Sequence, residues 1–226
     1  MRRKKSVLPL SIVSSFLLAA SMNGAFADEG NEGAPVPPKY TGVFIENISY
    51  KGSGCREGTM ESVISNDHRT MALLFNDFGL LADGQMTGKR NTKCNIQITV
   101  DVPPEYAVAL SSVDLRGSVL LPKGAGGSLK SRFFMSGKKL KAGVYQNWFN
   151  DEQDWLIENF NLSPSFSEEG LGEEDLVFSK CGENAVIDIK TKIKRFSNEG
   201  VMLGTVQVRS MDNALGIEYE WRECAM

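Results

Sequence analysis

Histidine, cysteine and long apolar runs are all scarce in this chain, and each shortage narrows what it can be. His68 is the only histidine in 226 residues. Ser-His-Asp and Cys-His catalysis need a base within hydrogen-bond reach of the nucleophile, so either arrangement would have to recruit His68. It sits beside the turn pair Asn66-Asp67 and reads as a solvated surface residue. No G-x-S-x-G elbow, close C-x-x-C pair or D-x-D-x-D-G calcium loop occurs. Lys and Arg number 25 against 28 Asp and Glu, a net charge of −3. General nucleic-acid binding needs clustered cations on phosphates, and no such excess is present. The one apolar stretch of note, Val7 to Ala20, is too short and too interrupted by serine to read as a membrane span.

That stretch follows Arg2, Arg3, Lys4 and Lys5 and precedes Ala25-Phe26-Ala27, the order of a cleavable secretory signal over residues 1–27. An uncleaved anchor is the competing reading. Cleavage would remove four basic residues and no acidic one, leaving 21 basic against 28 acidic. The expected location is therefore outside the cytosol, extracellular or periplasmic, with no membrane span after signal removal. Residues 28–39, acidic and proline-bearing without periodicity, read as a loose leader. Residues 40–226 suit a single domain.

All four cysteines, Cys55, Cys94, Cys181 and Cys224, lie in the exported part. An even count in an oxidising compartment reads as two disulfides. Two fall in each half of the mature chain, which favours Cys55–Cys94 and Cys181–Cys224. Zinc is the rival use, but it ordinarily takes close cysteine pairs, and His68 is far from all four in sequence.

The rest reads as strand after strand. In CNIQITVDV, Ile96, Ile98, Val100 and Val102 alternate with Asn95, Gln97, Thr99 and Asp101. Strict alternation places one face on a core and the other in water, and Pro103-Pro104 ends the run. AVIDIKTKIKRF repeats the pattern, with Ile187, Ile189, Thr191 and Ile193 on one face and Asp188, Lys190, Lys192 and Lys194 on the other. VMLGTVQVRS and LGIEYEWREC follow as a carboxy-terminal meander, with Trp221 expected in the core. VALSSVDLRGSVLLP and SLKSRFFMSG flank a glycine-rich break at residues 124–127. Short strands with regular turn signals predict an all-β antiparallel sandwich, jelly-roll or immunoglobulin-like.

One stretch departs from this pattern. Residues 150–175 carry nine acidic side chains and no basic one, with several aromatics among them. NDEQDWLIENF has Asn150 in a cap position and acids in a first turn, so a short helix near 151–160 is expected.

GSGC at 52–55, RNTKCNIQI at 90–98, SVDLRG at 112–117, SKCG at 179–182 and EYEWREC at 218–224 together resemble a secreted family of fungi and bacteria. That family is catalogued as domain of unknown function 4360. The resemblance spans about Tyr40 to Cys224 and implies a secreted β-sandwich with two disulfides. It implies no reaction, and it is weakest over the acidic, aromatic stretch after Gly137.

Candidate site residues follow from side-chain chemistry. Trp148, Phe149 and Trp155 offer flat faces for a sugar ring, with plugging of the core edge as the competing role. Asp151, Glu152 and Asp154 are the calcium candidates, since calcium takes oxygen ligands flexibly; helix-start charges are the alternative. No cofactor other than calcium is implied. Asn47-Ile48-Ser49 and Asn161-Leu162-Ser163 match the N-glycosylation triplet, the second followed by Pro164. The expected function is a non-enzymatic extracellular or periplasmic binding module, meeting a protein or a carbohydrate through residues 145–175. A hydrolase of extracellular polysaccharide using paired carboxylates and a structural envelope or matrix protein are the alternatives.

Overall fold

In a computed structural model the described residues are 44–65, 70–76, 78–81, 91–164, 166, 176–198, 201, 204–208 and 215–225. The expected signal 1–27, the expected leader 28–39, His68 and the acidic run 167–175 lie outside them.

Twelve strands are described: β1 Phe44–Lys51, β2 Met60–Ile64, β3 Thr70–Phe75, β4 Phe78–Leu80, β5 Asn91–Asp101 and β6 Tyr106–Pro122, then β7 Ala125–Met135, β8 Lys138–Asn150, β9 Trp155–Leu162, β10 Ala185–Ser197, β11 Thr205–Val208 and β12 Leu215–Glu223. They form two antiparallel sheets. One runs β1-β5-β10-β7-β8; the other runs β2-β3-β12-β6-β11-β4, with β9 also paired to β6. The all-β sandwich is thus as expected, and among the described residues there is no helix.

Alternation sets which side chains meet. Cys94, Ile96, Ile98 and Val100 of β5 are buried, as are Ile187, Ile189, Thr191 and Ile193 of β10, while Lys93, Gln97, Lys190 and Lys194 between them are exposed. Each such apolar side chain contributes roughly 1.5–3 kcal/mol on leaving water. Ser131 and Thr191, polar but inside, join by a 2.8 Å hydrogen bond between β7 and β10. Buried Arg195 donates to the carbonyls of Leu81 and Gly204, linking β10 to segments next to β4 and β11 of the other sheet. Trp221 is only half buried, edge-on to Tyr106 with ring centroids 6.5 Å apart.

Both disulfides form as the cysteine positions suggested: Cys55–Cys94 with Cα atoms 5.3 Å apart and Cys181–Cys224 at 6.2 Å. Cys55 lies on the connection from β1 to β2, and Cys181 on the connection from β9 to β10. Each connection passes from one sheet to the other, so each bridge fastens a crossing point. In the chain-entropy model, closing loops of these sizes is worth about 4 kcal/mol apiece. The glycines before Cys55 let the chain lie flat on β5: Gly54 donates to the Lys93 carbonyl at 2.9 Å. A Cβ at Gly52, whose φ is +152°, would stand 2.1 Å from that same oxygen.

Two expectations need correction. The helix near 151–160 does not form: residues 151–154 are a bend and Trp155–Leu162 is β9, paired with β6 from Leu162↔Leu115 to Trp155↔Pro122. The capping contact itself exists, for Asn150 Oδ1 accepts from the Gln153 N–H at 3.1 Å. However, Asn150 Nδ2 also donates to the Leu121 and Gln153 carbonyls, both at 2.9 Å, which ties the bend to the end of β6. Long-range pairing with β6 then outweighs a weak local helix preference. The glycine-rich break is likewise narrower than expected: the turn is Lys123-Gly124, and Gly126 and Gly127 lie inside β7. They are there for space. A Cβ on Gly126 would come 2.3 Å from the Phe196 ring, and one on Gly127 would come 2.3 Å from Val206.

Candidate functional site

The β8–β9 region separates the three aromatics proposed to act together. Trp148 points inward and is 4% exposed; its ring packs on Phe160 at 5.0 Å and its indole N–H donates to Glu158 at 3.2 Å. Phe149, one residue on, points outward from the five-stranded sheet and is 48% exposed. Trp155 is exposed at the start of β9 in the other sheet. Asp151, Glu152 and Asp154 are all exposed in the connection between the two strands. Among the described residues no group of three or more His, Cys, Asp or Glu side chains is arranged to hold a metal ion.

The structure instead assembles a face from four strands. Side chains at alternate positions of β5, β10, β7 and β8 point away from the core and meet in transverse rows fixed by strand register. At one end, Phe196, Gly126 and Phe149 lie side by side on β10, β7 and β8. With no side chain on the middle strand, the two phenyl rings stack across it at 6.4 Å, 11° from parallel. Phe196 is 44% exposed, so both rings of this aromatic platform reach solvent.

Below the platform the rows turn cationic. Lys194, Ser128 and Asn147 make the next row. Lys93, Lys192 and Lys130 follow, directly opposite one another on β5, β10 and β7, with Tyr145 beyond them on β8. Then Asn95, Lys190 and Arg132 line up, and after them Gln97, Asp188 and Phe134. Like charges directly opposite on neighbouring strands destabilise a sheet. Among the described residues no carboxylate pairs with Lys93, Lys130, Arg132, Lys190, Lys192 or Lys194; the ion pairs described are Arg116–Asp114 and Lys180–Glu183. Two aromatic rings absorb part of the charge: Lys130 lies 5.6 Å from the Tyr145 centroid and Lys190 4.5 Å from that of Phe134. Partial burial, reinforced by Lys194 and Lys93, holds the Lys192 ammonium below the usual lysine range.

The face carries two shallow depressions. One, of about 310 Å³, lies among Ser128, Lys130, Arg132, Tyr145, Lys192 and Lys194. The other, of about 350 Å³, opens beside it between β7 and β8 around Lys139, Lys141 and Gly143. It lies where the register between Arg132 and Phe134 slips. A bulge of this kind bends a strand and re-aims its side chains. Neither depression is a deep cleft. The arrangement suits an extended ligand lying on a rigid surface.

Sequence reading found Phe149 but missed its partners. The outward lysines of β10 were visible in its alternation, whereas their alignment with Lys93 and Lys130 depends on residues 60 and more apart meeting in register.

The family model described as "Domain of unknown function (DUF4360)" matches residues 41–224, and the chain belongs to that family. A protein of Arthroderma benhamiae described as an "Uncharacterized secreted protein" is 25% identical over 201 residues, covering 87% of this chain and 77% of that protein. Among solved structures, TmCBM61 in complex with β-1,4-galactotriose aligns over 80% of this chain and 90% of that one, at 10% identity and a TM-score of 0.25.

Proposed function

We propose that this DUF4360 member is an exported, non-enzymatic binding module that engages an extracellular glycan on the outer face of its five-stranded sheet. The observation that carries this reading is the Phe149–Phe196 stack, two parallel rings open to solvent. Sugar rings present flat C–H faces that lie well against such a surface, burying apolar area without a pocket. Asn147 and Asn91, exposed near the platform, supply donors and acceptors for hydroxyl groups. Export is supported by the two disulfides, which need an oxidising compartment, and by the secreted relative. A sheet face stapled at its crossing points is a rigid scaffold, which limits the ordering cost of binding.

The test is thermal unfolding of the purified mature chain in the presence of a panel of soluble polysaccharides. A ligand bound only by the native form raises Tm by mass action. At least one glycan should raise Tm for the parent chain, and Phe149→Ala should lose that shift while keeping its own unliganded Tm within a few degrees, as expected for an exposed position. No shift from any glycan would refute the reading.

A further inference from the structure

We infer that the glycan is an acidic polysaccharide whose regularly spaced carboxylates lie along the cationic files of β10 and β7. This rests on the reading above and adds the charge of the ligand to it. The chain as a whole is acidic, yet this one face gathers Lys93, Lys130, Arg132, Lys190, Lys192 and Lys194 in three adjacent rows. Opposing like charges cost stability, and a sheet surface has no structural need of them. Alternating acids, the ordinary solution on exposed sheets, would have removed the repulsion. A bound polyanion removes it instead.

Placement and composition bear on the class of polyanion. Along β10, Lys190, Lys192 and Lys194 recur about every 6.7 Å, and β7 adds Lys130 and Arg132 roughly 4.8 Å to the side. The β10 file begins beside Phe196, so a chain with one sugar on the phenyl platform passes directly over successive ammonium groups. The 310 Å³ depression lies along that path. Asn91, Asn95, Gln97 and Asn147 border the cations, giving uncharged partners to the hydroxyls between carboxylates. Five of the six cations are lysine, compact point charges that attract a carboxylate without fixing one geometry. The oxidising compartment that the two disulfides need favours a uronate polymer over a nucleic acid.

The experiment uses the mature chain with both disulfides intact and two probes of one backbone: polygalacturonate and its fully methyl-esterified form. Binding to polygalacturonate should be at least about tenfold tighter than to the ester, and should weaken about tenfold or more between 50 and 200 mM salt as counterions are released. Lys93→Gln/Lys130→Gln/Lys192→Gln should lose at least tenfold in affinity without losing the fold, checked by its unfolding transition. Equal binding of acid and ester, with the triple variant unaffected, would overturn the charge assignment and leave the glycan reading standing. Binding to single-stranded DNA or anionic vesicles with no glycan binding would overturn both, as would absence of binding to every probe.

Discussion

Lys192 and Lys130 are directly opposed across the β10–β7 ladder, and Lys93 opposes Lys192 from the other side. Three ammonium groups in a row therefore carry an electrostatic penalty in the unliganded protein. Lys192→Gln should raise stability at low salt, because it removes the middle charge of the row. The gain should shrink as ionic strength rises, since exposed charges are screened. Urea unfolding of the two proteins at low and high salt measures both effects.

The same penalty has a pH signature. Lys192 has a folded-state pKa below its ordinary 10.5, chiefly from partial burial and then from Lys194 and Lys93. Below the folded value both states are protonated and the full cost is present. As pH rises toward 10.5 the folded state sheds its proton ahead of the unfolded one, so stability contributed by this group rises. The stability difference between Lys192→Gln and the parent should therefore narrow as pH climbs toward 10.5. A gap that stays constant with pH would remove Lys192 as its cause.

Tyr219 is buried, and its hydroxyl is the one buried side-chain polar atom without a hydrogen-bond partner among the described residues. Burial pushes its pKa well above the ordinary 10.0. Above pH 10 the unfolded chain ionises this phenol while the folded chain cannot, so the parent protein loses stability as pH rises there. Tyr219→Phe removes both liabilities. It should be more stable by about 1–3 kcal/mol at neutral pH, and its unfolding free energy should decline less steeply above pH 10.

Gly126→Ala tests the platform through its foundation. The added Cβ would meet the Phe196 ring at 2.3 Å and the Trp148 carbonyl at 2.9 Å, so ring and strand must both shift. Overpacking of this kind costs about 1–3 kcal/mol. Chemical denaturation should show that loss, accompanied by weaker glycan binding.

Replacing Cys181 and Cys224 with serine frees the β9–β10 connection from the end of β12. Stability should fall by about 2–5 kcal/mol, read from the denaturant midpoint under non-reducing conditions.

How much of this was legible in the sequence depended on how local its cause was. β5 and β10 announced themselves by alternation, because a half-buried strand writes its two faces into neighbouring residues. The disulfides were legible because four cysteines allow few pairings. β9 was not, since Asn150 makes a genuine capping contact and only pairing with β6 makes the following residues extended. Gly126 and Gly127 read as a break for the same reason: the Phe196 ring and Val206 that exclude a side chain there come from strands far along the chain. The cationic face is the extreme case. Each lysine was plain in sequence, but the row Lys93–Lys192–Lys130 exists only in the register of three strands.

The most direct measurement is backbone amide NMR of the isotope-labelled protein, titrated with a short polygalacturonate oligomer. Shift changes should concentrate on Lys190 to Phe196, Ser128 to Arg132 and Tyr145 to Phe149. Changes confined to β9 and the other sheet, or no changes at millimolar oligomer, would contradict a binding role for this face.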